Sequence, residues 1–242
     1  MDRTLPKRAA LLVAIVFSFA IACEVGAHTQ DDAMVDYDRL KASAVRIQAD
    51  SKNGSGTVIA SRQRKDGMWE IDILTAKHVL AQPKVKQEDT GLAIAITVTW
   101  WFFQNPSFEP VEFSQSGKIL AVSTKYDLAL VRMESRSKFP TVAAVGTIPA
   151  RRGDRVFAVG SPFGIEPVVT RGFVSILYHD VPGDDERYLI ADAPVWFGNS
   201  GGGLHNQNYE IVGVTAAMLG GVSHIALFSH LESILEFLNS PR

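Results

Sequence analysis

The sequence predicts an all-β protein built as two barrels, and three observations support this. Short apolar runs recur along most of the chain, turn residues separate them, and residues 135–150, with Ser135, Ser137, Pro140 and Pro149, divide the series into halves. Many short strands at modest spacing argue for a barrel or a sandwich, because each strand must bury one face against another sheet or inside its own closed one. In the first half, residues 40–134, strands are expected over 44–47, 56–60, 71–74, 93–103, 119–122 and 128–133. The second half, residues 151–228, should carry strands over 155–159, 172–177, 188–191, 210–217 and 222–227. A short helix over 229–239 is expected to close the chain. Ser229-His230-Leu231-Glu232 has the spacing of a capping box, and Ile234, Leu235 and Leu238 follow at helical intervals. The aromatic run Trp100, Trp101, Phe102, Phe103 is assigned to sheet core with one exposed ring.

Residues 1–27 read as a secretory signal. Arg3, Lys7 and Arg8 give the positive start, Ala9 to Cys23 the apolar core, and Val25-Gly26-Ala27 the cleavage site. That core is shorter than the roughly 20 residues needed to span a bilayer, so export to the periplasm or outside is expected. Two other readings stay open: an uncleaved N-terminal tether, and lipidation at Cys23, although Ala20-Ile21-Ala22-Cys23 lacks the usual leucine. Cys23 is the only cysteine. No disulfide framework is available, and stability must come from the core.

The chemistry is concentrated in three segments. Gly198-Asn199-Ser200-Gly201-Gly202 holds a serine between glycines, which permit a sharp turn and let backbone amides approach a substrate carbonyl. The amides of Gly198 and Ser200 are the candidate oxyanion hole. A serine hydroxyl is a poor nucleophile at neutral pH unless an imidazole accepts its proton and a carboxylate orients that imidazole. His78 follows the apolar run Ile73-Leu74-Thr75-Ala76, and Asp127 opens Leu128-Ala129-Leu130-Val131, where a carboxylate is costly without a partner. Asp72 and Asp192 are rival acids. His28, His179, His205, His224 and His230 are placed less well for the base. The pentapeptide also fits the G-x-S-x-G elbow of α/β-hydrolases. Chain order argues against that fold, since no Asp follows Ser200 and residues 201–242 are too few for the rest of its sheet.

Taken together, Thr75-Ala76-Lys77-His78-Val79, Asp127-Leu128-Ala129-Leu130-Val131 and Gly198-Asn199-Ser200-Gly201-Gly202 resemble the catalytic motifs of trypsin-like serine proteases, in the HtrA/DegP branch. Gly54-Ser55-Gly56-Thr57-Val58-Ile59, Ala158-Val159-Gly160-Ser161-Pro162-Phe163-Gly164 and Thr170-Arg171-Gly172-Phe173-Val174-Ser175 extend the resemblance to roughly residues 40–235. It implies six strands per barrel and one protease domain over 28–242. It also implies an endopeptidase of unfolded or misfolded proteins, with His78, Asp127 and Ser200 as its triad. Pro194 would stand at the floor of the specificity pocket, with Thr215, Ala216 and Ala217 lining it, which favours a small aliphatic residue such as Val or Ala. Trp196-Phe197 departs from the Asn-Pro usual in the family, so a bulkier wall beside the oxyanion hole is expected. No PDZ domain and no zymogen-type Ile-Val-Gly-Gly terminus are expected, and oligomerisation stays open. The rival reading is a catalytically silent protein of this fold that binds unfolded polypeptide.

Charge excludes other classes of partner. Lysine and arginine total 24 against 26 acidic residues, a net charge of −2, so no nucleic acid partner is indicated. The cluster Arg151, Arg152, Arg155 reads as a solvated turn. Neither HExxH nor a cysteine pair is present, so no metal or other cofactor is expected.

Overall fold

The computed structural model describes residues 35–80, 95–103, 109–184, 186–221 and 224–241. The expected leader over residues 1–27, with Cys23, lies outside them, as does His28. The strands form two closed antiparallel barrels. β1 (Ala44–Ala49), β2 (Lys52–Gln63), β3 (Trp69–Thr75), β4 (Ile96–Phe102), β5 (Val111–Val122) and β6 (Ala129–Ser135) close the first in the order β1-β2-β3-β6-β5-β4. β7 (Arg155–Gly160), β8 (Val168–Asp180), β9 (Arg187–Ala191), β10 (Gly203–His205), β11 (Ile211–Met218) and β12 (Ala226–His230) close the second in the order β10-β11-β12-β9-β8-β7. Among the described residues closure gives each strand a partner on both sides over at least part of its length, which removes most of the free edge that could template aggregation.

Several elements differ from the sequence expectation. β5 starts at Val111, well before the expected 119; residues 111–116 are exposed on both faces, and only Val111 and Phe113 among them are apolar. They are held instead by pairing with β4, from Val111 opposite Phe102 to Gly117 opposite Ile96. β10 was not anticipated: three residues carry too little pattern to read. A short helix, α1 (Tyr37–Lys41), was also missed, although Asp36 caps it by accepting the Arg39 N–H at 3.0 Å. β12 lies over Ala226–His230, running three residues past the expected end at 227. Ser229 pairs with both Val214 and Tyr188, so its backbone belongs to the sheet and cannot open a helix. The terminal helix, α3 (Leu231–Asn239), therefore begins two residues later than expected, and His230 replaces Ser229 as its cap. The His230 Nδ1 accepts the Glu232 N–H at 3.3 Å, while its ring stacks on Tyr178 at 5.0 Å.

The core explains how the halves are held together. Val45, Ile47, Ile71, Ile73, Leu130 and Val131 fill the first barrel, and the same cluster takes in Ile211 and Val214 of β11 and Ile234 and Phe237 of α3. Burial of one such side chain contributes roughly 1.5 to 3 kcal/mol. The connecting segment is bound to each side in turn: Ala143 N–H donates to the Val58 carbonyl on β2, and Gly146 N–H donates to the Ile211 carbonyl on β11. Trp101 is buried and Phe102 is exposed, so the aromatic run divides between core and surface.

His205, at the end of β10, is fully buried. Its Nδ1 faces the Tyr209 carbonyl at 3.3 Å, and its Nε2 has no partner among the described residues. Burial disfavours the imidazolium and pushes the pKa down from 6.5 to about 4. The unfolded chain then binds more protons than the folded one between those values, so stability is lost as pH falls from 6.5 towards 4. Unfolding free energy should drop by about 3 kcal/mol across that window. Urea denaturation at both ends, with His205→Gln alongside, checks it: an equal decline in the variant would assign the effect to other groups.

Candidate active site

β3 ends at Thr75, and a single turn of helix, α2 (Lys77–Leu80), carries His78. The segment before β6 supplies Asp127, and the two are joined by three hydrogen bonds. Lys77 N–H donates to the Asp127 carbonyl at 3.2 Å, His78 N–H donates to Asp127 Oδ1 at 2.9 Å, and His78 Nδ1 meets Oδ2 at 2.6 Å. An ionised carboxylate can only accept, so Nδ1 is the donor to Asp127, and in the neutral ring that tautomer leaves the lone pair on Nε2. Asp127 is largely enclosed, its side chain 17% exposed against 44% for His78, so the carboxylate sits behind the imidazole.

A third residue lies behind that pair. Asp127 N–H donates to Glu186 Oε2 at 2.7 Å across the junction between the barrels. Glu186 is 1% exposed, and its Oε1 has no hydrogen-bond partner among the described residues. Burial pushes its carboxyl above the usual range, against the opposing pull of the Asp127 amide. Nothing in the sequence marks it, because Asp184-Asp185-Glu186-Arg187 reads as a solvated turn. Glu186→Ala leaves the Asp127 N–H buried without an acceptor, which should cost about 1 to 3 kcal/mol of stability. Glu186→Gln keeps an acceptor and should lose less. Chemical denaturation of both variants decides, and equal losses would remove the amide from the explanation.

The serine loop comes from the second barrel. Ser200 precedes β10, and its carbonyl accepts the Ser55 N–H of β2 at 2.7 Å. Gly201 N–H donates to the Thr215 carbonyl at 2.8 Å, and Thr215 N–H donates to the Gly202 carbonyl at 2.9 Å. Gly201 has φ +84°, and a Cβ there would stand 2.2 Å from Thr75 Oγ1 and 2.9 Å from the Ala76 nitrogen. Only glycine allows the serine loop to pack this closely on the residues leading into His78. The Ser200 hydroxyl itself makes no hydrogen bond among the described residues. Contacts of this kind commonly tighten only when substrate binds.

The amides of Gly198 and Ser200 have no acceptor among the described residues. Gly198 has φ +101°, and a Cβ there would meet the Ser161 carbonyl oxygen at 2.6 Å and the Phe163 nitrogen at 2.8 Å. The carbonyl of Phe197 is turned away from the site, accepting the Phe163 N–H at 2.8 Å. Because the peptide unit is planar and trans, the Gly198 N–H on the same unit points the opposite way. Trp196 and Phe197 are exposed, at 37% and 73%.

The other expected site residues divide. Thr215 is buried and acts through its backbone on the serine loop, while Ala216 is half-buried and Ala217 exposed. The β11 and β12 register shifts between Thr215 and Ala217. Half-buried Pro194 accepts the Thr170 hydroxyl at 2.6 Å. Asp72 is occupied elsewhere: Arg132 binds it at 2.6 and 3.0 Å, Arg62 adds a further ion pair, and together they outweigh burial and hold its pKa below the usual range. Asp192 accepts the Phe173 N–H at the start of the turn beyond β9.

A histidine–carboxylate pair on one barrel and a glycine-hinged serine on the next define a two-barrel protein of the serine-protease class. The trypsin-like peptidase domain family matches residues 54–214. The chain belongs to that family, and its curated relatives place it in the HtrA-type branch. Serine protease HTRA1B of Danio rerio is 34% identical over 199 residues, which is 79% of this chain and 36% of that protein. A probable periplasmic serine protease of the do/HhoA-like type from Haemophilus influenzae is 36% identical over 133 residues, 50% of this chain and 28% of that one. The crystal structure of Deg5 superposes with a TM-score of 0.63 at 26% identity, covering 83% of this chain and 89% of that one. The chain thus spans about a third of the length of these curated relatives. Among the described residues, no helix is long and apolar enough to cross a membrane.

Proposed function

We propose that this protein is an exported serine endopeptidase that cleaves unfolded or misfolded polypeptides. The observation that carries the reading is the 2.6 Å contact between His78 Nδ1 and Asp127, beside a serine loop whose Gly198 and Ser200 amides are unspent. Ser200 Oγ attacks the scissile carbonyl carbon and its proton passes to His78 Nε2. The carbonyl oxygen, now negative, is held by the two amides, and Asp127 stabilises the imidazolium. Collapse breaks the C–N bond, with the His78 proton going to the departing amine, and water then releases the acyl group by the same steps in reverse order.

The rim supports the substrate class. Phe163, Ile165 and Phe197 are 70%, 54% and 73% exposed, a large apolar surface beside the oxyanion loop that suits side chains exposed only by unfolded chains. Ala216, Ala217 and Pro194 offer no charge, which supports a small aliphatic residue at the cleaved position. Export is supported by the leader over residues 1–27 and by the periplasmic designation of the Haemophilus relative. The rival reading, a silent polypeptide-binding protein, draws on the same rim and on the Ser200 hydroxyl having no bond to His78. A fluorophosphonate separates them: it should modify the wild type and spare Ser200→Ala, and a folded wild type that resists it would select the rival.

A further inference from the structure

We infer that Ser55, on β2 of the first barrel, is the positioning residue that holds the oxyanion loop of the second barrel in its competent shape. Its hydroxyl is completely buried and stands between two segments far away in sequence. The Ser55 Oγ–H donates to the Gly198 carbonyl at 2.6 Å, and the same oxygen accepts the Ser161 N–H at 2.7 Å. The first bond fixes the peptide that follows Gly198. The second anchors the turn Ser161-Pro162-Phe163, and Phe163 N–H in turn fixes the peptide that precedes Gly198 through the Phe197 carbonyl, at 2.8 Å. Both peptide units around the Gly198 α-carbon are therefore held from one side chain.

The clamp is needed because the loop has little else to fix it. Gly198, at φ +101°, lacks the side chain that would restrict its backbone, and Phe163 is held at φ 53°, a region that non-glycine residues seldom occupy. If the peptide between Phe197 and Gly198 rotated, a carbonyl would enter the space where the substrate oxyanion should sit, and the donor would be lost. Ser55 also binds the loop through its backbone, its N–H donating to the Ser200 carbonyl. The hydroxyl adds the part that discriminates between loop shapes. Within its own sheet the Ser55 hydroxyl makes no hydrogen bond among the described residues: both of its partners, Gly198 and Ser161, belong to the second half of the chain.

The inference rests on the protease reading, and the experiment keeps the two apart. Ser55→Ala should lower kcat on a peptide amide by on the order of ten- to a hundredfold, less than outright deletion of an oxyanion donor, with KM within about twofold. Affinity for a peptide boronate ending in boro-alanine, whose adduct on Ser200 places an oxygen in the hole, should fall by the same factor as kcat/KM. Ile71→Val, which opens a small cavity in the first-barrel core, gives the comparison for plain destabilisation and should leave both readings at wild-type level below its Tm. If Ser55→Ala does not fold, Ser55→Cys, nearly isosteric and a weak donor, takes its place. Ser55→Thr, which keeps the hydroxyl, should restore most of the rate. A kcat within twofold of wild type, or a fall in kcat with boronate affinity unchanged, overturns the role of Ser55 alone. A wild type that neither turns over substrate nor reacts with a fluorophosphonate overturns the protease reading and this inference with it.

Discussion

Ser200→Ala should abolish turnover of a casein substrate almost entirely, lowering kcat by about a millionfold while leaving the fold intact. The size of the effect comes from losing the attacking atom, since no other hydroxyl is placed beside the Gly198 and Ser200 amides by this loop. What survives should be the slower hydrolysis by water assisted by those amides, some three to four orders of magnitude above the uncatalysed rate. Single-turnover assays on wild type and variant, with circular dichroism to confirm folding, measure it. A variant retaining a tenth of the wild-type rate would remove Ser200 from the chemistry.

Asp127→Asn is the second large expected effect, about ten-thousandfold in kcat at neutral pH. The geometry here indicates how it would act. Oδ1 accepts the His78 backbone N–H at 2.9 Å, so the asparagine carbonyl would take that position and leave its NH₂ against Nδ1. An NH₂ group donates, which forces the imidazole proton onto Nε2 and leaves nothing to accept the Ser200 proton. The carboxylate that stabilises the imidazolium is removed at the same time. Steady-state kinetics test it, and a loss below tenfold would mean that Asp127 does not orient the base. Because the hydrogen bond from the Asp127 amide to Glu186 involves backbone, it should survive the substitution, and stability should change far less than activity.

Much of the site can be read in the sequence because its chemistry is tied to local backbone requirements. Glycines around Ser200 mark a turn that a Cβ would obstruct, and Gly201 shows why, packing against Thr75 and Ala76. Asp127 stands out as a carboxylate entering an apolar strand, and its two oxygens are both committed to His78. Asp72 has the same local character, yet it serves a different end, pairing with Arg132 and Arg62 on the first barrel. No local signal separates the two aspartates, because what differs is the neighbour supplied by another strand. The hydroxyl of Ser55 and the carboxyl of Glu186 were missed for the same reason. A serine in a glycine-rich strand and a glutamate in an acidic turn look ordinary until the barrels meet.

The elements show a parallel division. Apolar strands such as β3 and β11 carry their own signal, whereas the exposed start of β5 and the three residues of β10 are strands only because a neighbour pairs with them. The helix boundary moved for the same cause: Ser229 has good capping chemistry, but its backbone is claimed by β11 and β9.

The sequence by itself determined the all-β class, the division into two halves and the three segments that carry His78, Asp127 and Ser200, since these depend on side-chain type and short-range turn chemistry. Only the tertiary structure decided which buried groups support them, Glu186 behind Asp127 and Ser55 beneath the Gly198 loop. A hydrogen bond between residues more than fifty positions apart is set by how two closed barrels pack, and no local pattern encodes that.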